Sequence, residues 1–186
     1  MQLAAVVTAI VLLNQSLAFY NVWPTPKVAW RGHLSVELAV VLLAVLLAAG
    51  RPAGRTVVPR LAAVLWVPLV IGRYMDVVAP ALYGRPVNLF WDLRHLSAVA
   101  AMMTDAVSGA LLAGLVALAV AGLFGIYLLA RWAFGRLAEA GARPGWRRPL
   151  MAAGLAVLAV YGLERGLGAS VAGLAFAPTV SATYWH

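Results

Sequence analysis

With 186 residues, 64% of them hydrophobic and only 11% charged, at a mean hydropathy of +0.91, the chain has too little charge to cover a water-facing surface; soluble domains carry about 25% charged residues. The net charge of +8 is spread over short segments with no Lys/Arg run suited to nucleic acid. Zero cysteines exclude disulfides, thiolate metal sites and cysteine nucleophiles.

Long apolar runs satisfy their backbone in lipid only as helices, and the alternation of a membrane β-barrel is absent. The expected fold is therefore an all-α polytopic membrane bundle, one domain over 1–186, with about five transmembrane helices, a short interfacial helix and an aromatic-rich loop. Span one covers about 2–20 and carries Asn14, Gln15 and Ser16 in its second half. It has no basic segment before it and no small-x-small cleavage site after it, so it reads as a retained span. Segment 21–33 holds Pro24, Pro26, Trp23, Trp30, Lys27 and Arg31, which predicts an interfacial loop without helix.

Span two is expected over 34–50, closing on a glycine, and a basic link over 51–60 leads to span three, over 57–78. Segment 73–95 follows, polar and aromatic, broken by Pro80 and by Gly84-Arg85-Pro86. Beyond Asp92 the pattern predicts a short amphipathic helix, so that 73–105 forms a platform at headgroup level. Span four covers 106–130 and continues as helix through Arg131, Trp132 and Arg136; span five covers 149–170. Tyr184 and Trp185 read as interface anchors.

Links 51–60 and 131–148 hold eight Lys/Arg, against five in 21–33 and 73–95, with Arg165 inside a span. The bias predicts a cytoplasmic N-terminus and a C-terminus on the opposite, periplasmic face. Threading five spans then gathers Asn14, Gln15, Glu37, Arg73, Asp76, Asp105, Glu164 and Arg165 at one leaflet, leaving the other half of the bundle without an ionisable residue inside a span. Singly, each charge reads as a helix end reaching for water. Together they predict a polar pocket, with Glu164 pairing Arg73, or Arg165 pairing Asp76 or Glu37.

Lipid-headgroup contacts are expected from Arg73, Asp76, Tyr83, Arg85, Asn88, Asp92, Arg94 and His95, the arginines gripping phosphate as bidentate donors. No catalytic constellation, phosphate-cradling glycine loop or metal spacing is legible, and His33, His95 and His186 share no helix. No cofactor is expected in this chain. A haem or quinone held by His33 and His95 stands as a lesser alternative.

The runs Arg73-Tyr74-Met75-Asp76 and Ala81-Leu82-Tyr83-Gly84-Arg85-Pro86-Val87-Asn88-Leu89-Phe90-Trp91-Asp92 resemble the membrane portion of bacterial sulfatase-like proteins of the alkaline-phosphatase superfamily. That group includes phosphoethanolamine transferases and lipoteichoic acid synthases. The closing Phe176-Ala177-Pro178-Thr179-Val180-Ser181-Ala182-Thr183-Tyr184-Trp185 resembles the hand-over from their last span to an extracytoplasmic domain. The resemblance implies a five-helix inner-membrane anchor that positions a phospholipid for a periplasmic transferase or hydrolase. Its catalytic domain, with a divalent metal, would follow residue 186. The alternative is a non-enzymatic membrane protein, a complex subunit or a carrier, with a polar outer-leaflet cavity.

Overall fold

The computed structural model of the chain describes residues 2–22, 25, 27–30, 32–85, 92, 94–167 and 176. Among them the fold is all-α, 83% helical, with six helices. Helix α1 (Gln2–Leu17) buries Val6, Ala9, Leu13 and Leu17, a three-to-four-residue spacing that turns one stripe inward. Among the described residues of 21–33 there is no helix, as expected, but a short strand pairing is present. Strands β1 (Phe19–Asn21) and β2 (Val28–Trp30) form an antiparallel hairpin in which Phe19 faces Trp30, Tyr20 faces Ala29 and Asn21 faces Val28. Its turn is held by Asn21 Nδ2 donating to the Thr25 carbonyl at 2.7 Å and by the Val22 N–H donating to the Lys27 carbonyl at 2.9 Å.

Helix α2 (Val36–Ala48) begins where Ser35 in extended backbone accepts the Leu38 N–H at 3.2 Å, an N-cap that satisfies an otherwise free donor. The turn into helix α3 (Pro52–Tyr83) is tight. A Cβ on Gly54 would stand 2.1 Å from the Ala48 carbonyl oxygen, so only glycine fits. Pro52 sits in the first turn, where its missing N–H costs nothing. The expected break at Pro80 is corrected: Pro59, Pro68 and Pro80 all lie inside this helix. The stop is Gly84, whose φ of 67° is the left-handed cap that glycine adopts freely, with its N–H donating to the Pro80 carbonyl at 2.9 Å.

Helix α4 (Leu96–Ala106) is the expected short helix beyond Asp92. Helix α5 (Gly109–Gly141) starts on Ser108, which accepts the Leu111 N–H at 3.4 Å, and helix α6 (Pro144–Leu167) follows after a turn. Span four thus begins at Gly109 and not at 106, and Asp105 belongs to α4.

The core forms around the last third of α5, where Ala130, Ala133, Phe134, Leu137, Ala138 and Gly141 are buried against α1, α2 and α3. Trp66 of α3 and Phe134 meet edge to face, with centroids 5.3 Å apart, and both side chains are fully buried. Trp66 Nε1 donates to Ser16 Oγ at 2.9 Å, which lets the indole sit in an apolar core without a stranded donor.

Contacts between chain-distant residues order the ends. Arg143 donates to Gln2 Oε1, and Arg147 Nη1 lies 3.6 Å from where a Cβ on Gly50 would be, so residues 2, 50, 143 and 147 share one end. Toward the other end, Asn14 donates to the His33 carbonyl at 2.8 Å and accepts the Ser35 N–H at 2.9 Å, and Arg73 donates to the Phe19 carbonyl. The larger helices run alternately up and down between these ends. By length and composition, α3 and α5 are long and apolar enough to cross a membrane, a mark of membrane association; α1 and α2 are shorter apolar helices.

The charge-free stretch of α3, 61–72, brackets Trp66, whereas that of α5, 109–130, ends short of Phe134. The two stretches are therefore offset along the bundle. Arg131 stands exposed about one helical turn from the Trp66–Phe134 contact, on the helical continuation expected beyond span four.

Candidate functional site

Two arrangements occupy the end of the molecule away from the basic links. The first is polar. Arg73, 5% exposed, donates from Nη2 to the Phe19 carbonyl and places its guanidinium carbon 5.7 Å from the centroid of the Phe19 ring. The carboxylates of Asp76 and Glu37 are the acidic charges that act on it. Glu37, half-buried in the first turn of α2, accepts the Ser35 hydroxyl at 3.1 Å. The structure thus brings Asn14, Ser35, Glu37, Arg73 and Asp76 toward one region, built from α1, α2 and α3. Arg73 takes a backbone carbonyl in place of the expected Glu164, and Glu164 Oε2 is buried without a hydrogen-bond partner among the described residues.

Among the described residues, Asp105, Arg94 and His95 lie exposed and Arg85 pairs with Asp92. Asp105 is exposed on the last turn of α4, because α4 is a separate helix and not the start of a span. Arg94 and His95 are exposed as well. Arg85 and Asp92 form their own pair across the segment beyond α3, with Nη2 to Oδ1 at 2.6 Å and Nη1 to Oδ2 at 3.4 Å. The Asp92 carboxylate, by hydrogen bond and charge, raises the Arg85 pKa above its ordinary value. Asn88 lies outside the described residues, as do the side chains of Tyr83 and Arg165. Among the described residues no group of three His, Asp or Glu could hold a metal ion.

The second arrangement is an apolar groove of about 1130 Å³ between α1, α3, α5 and the hairpin. Its inner end is Trp66, Leu13 and Ala130, all buried in the core. From there it follows Val70, Ile71 and Tyr74 along α3, and Ile126, Gly122 and Ala119 back along α5, toward the end that carries Arg73 and Asp76. Strand β2 contributes Val28 and Trp30 to its wall, and β1 contributes Phe19, the partner of Arg73. Small residues make the space: a Cβ on Gly122 would meet nothing within 4 Å. Polar groups in the lining are few. Ser16 is committed to Trp66 and to the Leu13 carbonyl, while Gln15 Oε1 is buried and unpartnered among the described residues.

Sequence reasoning placed the polar residues at this end but did not find the groove. Its signal, Ala119 and Gly122 three residues apart on one helix face, is indistinguishable by pattern from the other small residues of α5. An apolar groove with a polar mouth can hold a hydrocarbon chain and orient a charged headgroup; by volume it lies at the upper limit of small-molecule sites, about 300–1,000 Å³. Comparisons with family models, curated proteins and solved structures find no match for this chain.

Proposed function

We propose that the chain is a five-span domain of the bacterial inner membrane that receives a phospholipid, with the tail in the groove between α1, α3 and α5 and the headgroup at the Arg73, Asp76, Arg85, Asp92 and Arg94 end. Helices α1, α2, α3, α5 and α6 are the spans in this reading, and α4 lies in the interface. The N-terminus is cytoplasmic and the C-terminus periplasmic, following the basic links 51–60 and 131–148. The resemblance of 73–92 to sulfatase-like membrane portions extends the proposal: the lipid is presented to a periplasmic phospho- or sulfo-ester transferase or hydrolase.

The observation that carries the reading is the course of the groove. It begins at the buried Trp66 and runs past Phe19, whose carbonyl holds Arg73, to Tyr74, so a tail laid along it would carry a headgroup toward the charged end of α3. At that end Arg85 and Asp92 offer a headgroup one cation and one anion held 2.6 Å apart. Arginine suits phosphate because its planar fork donates two parallel hydrogen bonds.

The test is lipid retention by the purified chain, measured by native mass spectrometry after detergent exchange. Gly122→Phe projects a ring into the groove from a position whose Cβ meets no neighbour within 4 Å, and the circular dichroism of the variant checks that the helices are kept. Retention should fall about tenfold or more. Arg85→Ala should weaken retention of anionic or zwitterionic phospholipid and leave an uncharged diacylglycerol unaffected. Equal retention by Gly122→Phe and the parent chain removes the proposal.

A further inference from the structure

A second cleft lies at the opposite end, remote from the groove. It encloses about 690 Å³ and is lined by Ala44, Leu47, Ala48, Gly50, Arg51 and Arg147. Its composition is divided. Ala44, Leu47 and Ala48 form an apolar wall along the last turns of α2, and Leu47 is 60% exposed. Arg51 and Arg147 form the polar side, from two chain-distant segments.

Among the described residues, neither arginine is paired with an acid. Arg147 Nε is buried and makes no hydrogen bond among the described residues, and Arg51 makes no side-chain capping bond to the helix it precedes. Nearby Arg55 is differently placed, with Nε donating to the Ala49 carbonyl at 2.9 Å. Of the six acids in the chain, Glu139 alone belongs to this end, and it is paired to Arg136 at 3.1 Å. A buried guanidinium donor with no acceptor is costly and calls for an anion.

We infer that this cleft binds the phosphate of an anionic phospholipid in the leaflet at the basic end, with Arg51 and Arg147 on the phosphate oxygens and an acyl chain along Ala44 and Leu47. The inference stands on a different cleft and different helices, and does not depend on what fills the groove. Arginine is the residue suited to this task, since two forks can share the oxygens of one tetrahedral anion. The apolar wall, continuous with the exposed face of α2, is what commits the site to a lipid over free phosphate: inorganic phosphate would leave that wall uncovered. Basic pockets at helix ends on the cytoplasmic face of a bundle are where anionic headgroups gather.

The experiment titrates the detergent-purified full chain with short-chain phosphatidylglycerol, short-chain phosphatidylcholine and, separately, inorganic phosphate. The parent should prefer phosphatidylglycerol over phosphatidylcholine by roughly thirtyfold, the effect of two basic residues at an anionic headgroup. R51Q/R147Q should abolish the preference, while R60Q/R148Q, which alters two exposed arginines outside the cleft lining, should keep it. Because Arg147 is half-buried, R51Q at an exposed position serves as the milder variant, and it should remove part of the preference. Absence of a preference in the parent, an equal loss in R60Q/R148Q, or inorganic phosphate binding as tightly as the lipid would each overturn the assignment.

Discussion

Arg73 of α3 donates to the carbonyl of Phe19, fifty-four residues earlier, with its guanidinium carbon 5.7 Å from the centroid of that residue's ring. One side chain thus ties the start of the hairpin to α3 beside the mouth of the groove. Hydrogen bonds to charged donors contribute about 1.5–3 kcal/mol, and deleting one leaves the carbonyl unpaired. Arg73→Ala should therefore lower stability by about 3 kcal/mol. Arg73→Lys, which keeps a charge but not the fork, should recover part of it. Thermal unfolding in one detergent compares the three; equal midpoints would show that the bond contributes nothing.

Trp66 joins three helices through a ring contact to Phe134 and a hydrogen bond to Ser16. Trp66→Ala opens a cavity in the core and should cost roughly 3–5 kcal/mol. Ser16→Ala strands the indole N–H and should cost about 1–3 kcal/mol. In the Trp66→Phe background Ser16→Ala should then cost much less, since no donor remains. Full additivity in that cycle, read by chemical or thermal unfolding, would contradict the coupling.

Two glycines separate steric from conformational need. Gly54→Ala drives a methyl to within 2.1 Å of a backbone oxygen, which no side-chain rotation relieves, so the α2–α3 turn should fail to close and expression of folded chain should drop. Gly84→Ala meets no neighbour within 4 Å but must hold φ at 67°, a cost of roughly 1–2 kcal/mol. Gly84→Asn should be milder, because asparagine tolerates the left-handed region. A Gly54→Ala chain as stable as the parent would argue against this turn geometry.

The Arg85–Asp92 pair should respond to salt and not to alkali. The hydrogen bond and charge of Asp92 raise the folded-state pKa of Arg85, so its contribution is fully present below the ordinary arginine value and is lost only as pH climbs through the still higher folded value. Across neutral and mildly alkaline pH, Arg85 therefore adds no slope. With side chains 61% and 31% exposed, the pair is screened by ions, over a distance of about 10 Å at 0.1 M salt. Amide exchange at Asp92 should quicken at high salt and in Arg85→Gln, and stay flat with pH once corrected for the intrinsic rate. A steep loss at mildly alkaline pH, well short of the ordinary arginine range, would oppose this reading.

Much of this arrangement is legible in the chain. Ser35 before an apolar run and glycine after α3 are local signals, and both stand where local physics puts them. Helix was over-truncated at Pro80, because the rule for proline describes a helix that must satisfy itself, while here α3 continues through three internal prolines. The partner of Arg73 is a backbone carbonyl, which carries no residue identity and so leaves no trace in composition. The offset between the apolar stretches of α3 and α5 depends on which residue of one meets which of the other, and only the Trp66–Phe134 contact fixes that. Asp105 reads as the opening of span four because the apolar run begins at Ala106; the break at Val107 and Ser108 separates it from that helix.

The account depends on the two ends of the bundle facing opposite sides of a membrane, and a chain with zero cysteines allows this to be read directly. Single cysteines at Thr25 in the hairpin turn, Thr104 on α4, Arg51 between α2 and α3, and Gly145 at the start of α6 sample both ends. With an impermeant maleimide, Thr25→Cys and Thr104→Cys should label in intact cells, and Arg51→Cys and Gly145→Cys only after the membrane is opened. If all four label together on one side, or if Thr25→Cys and Thr104→Cys divide between the two, the five-span arrangement is contradicted.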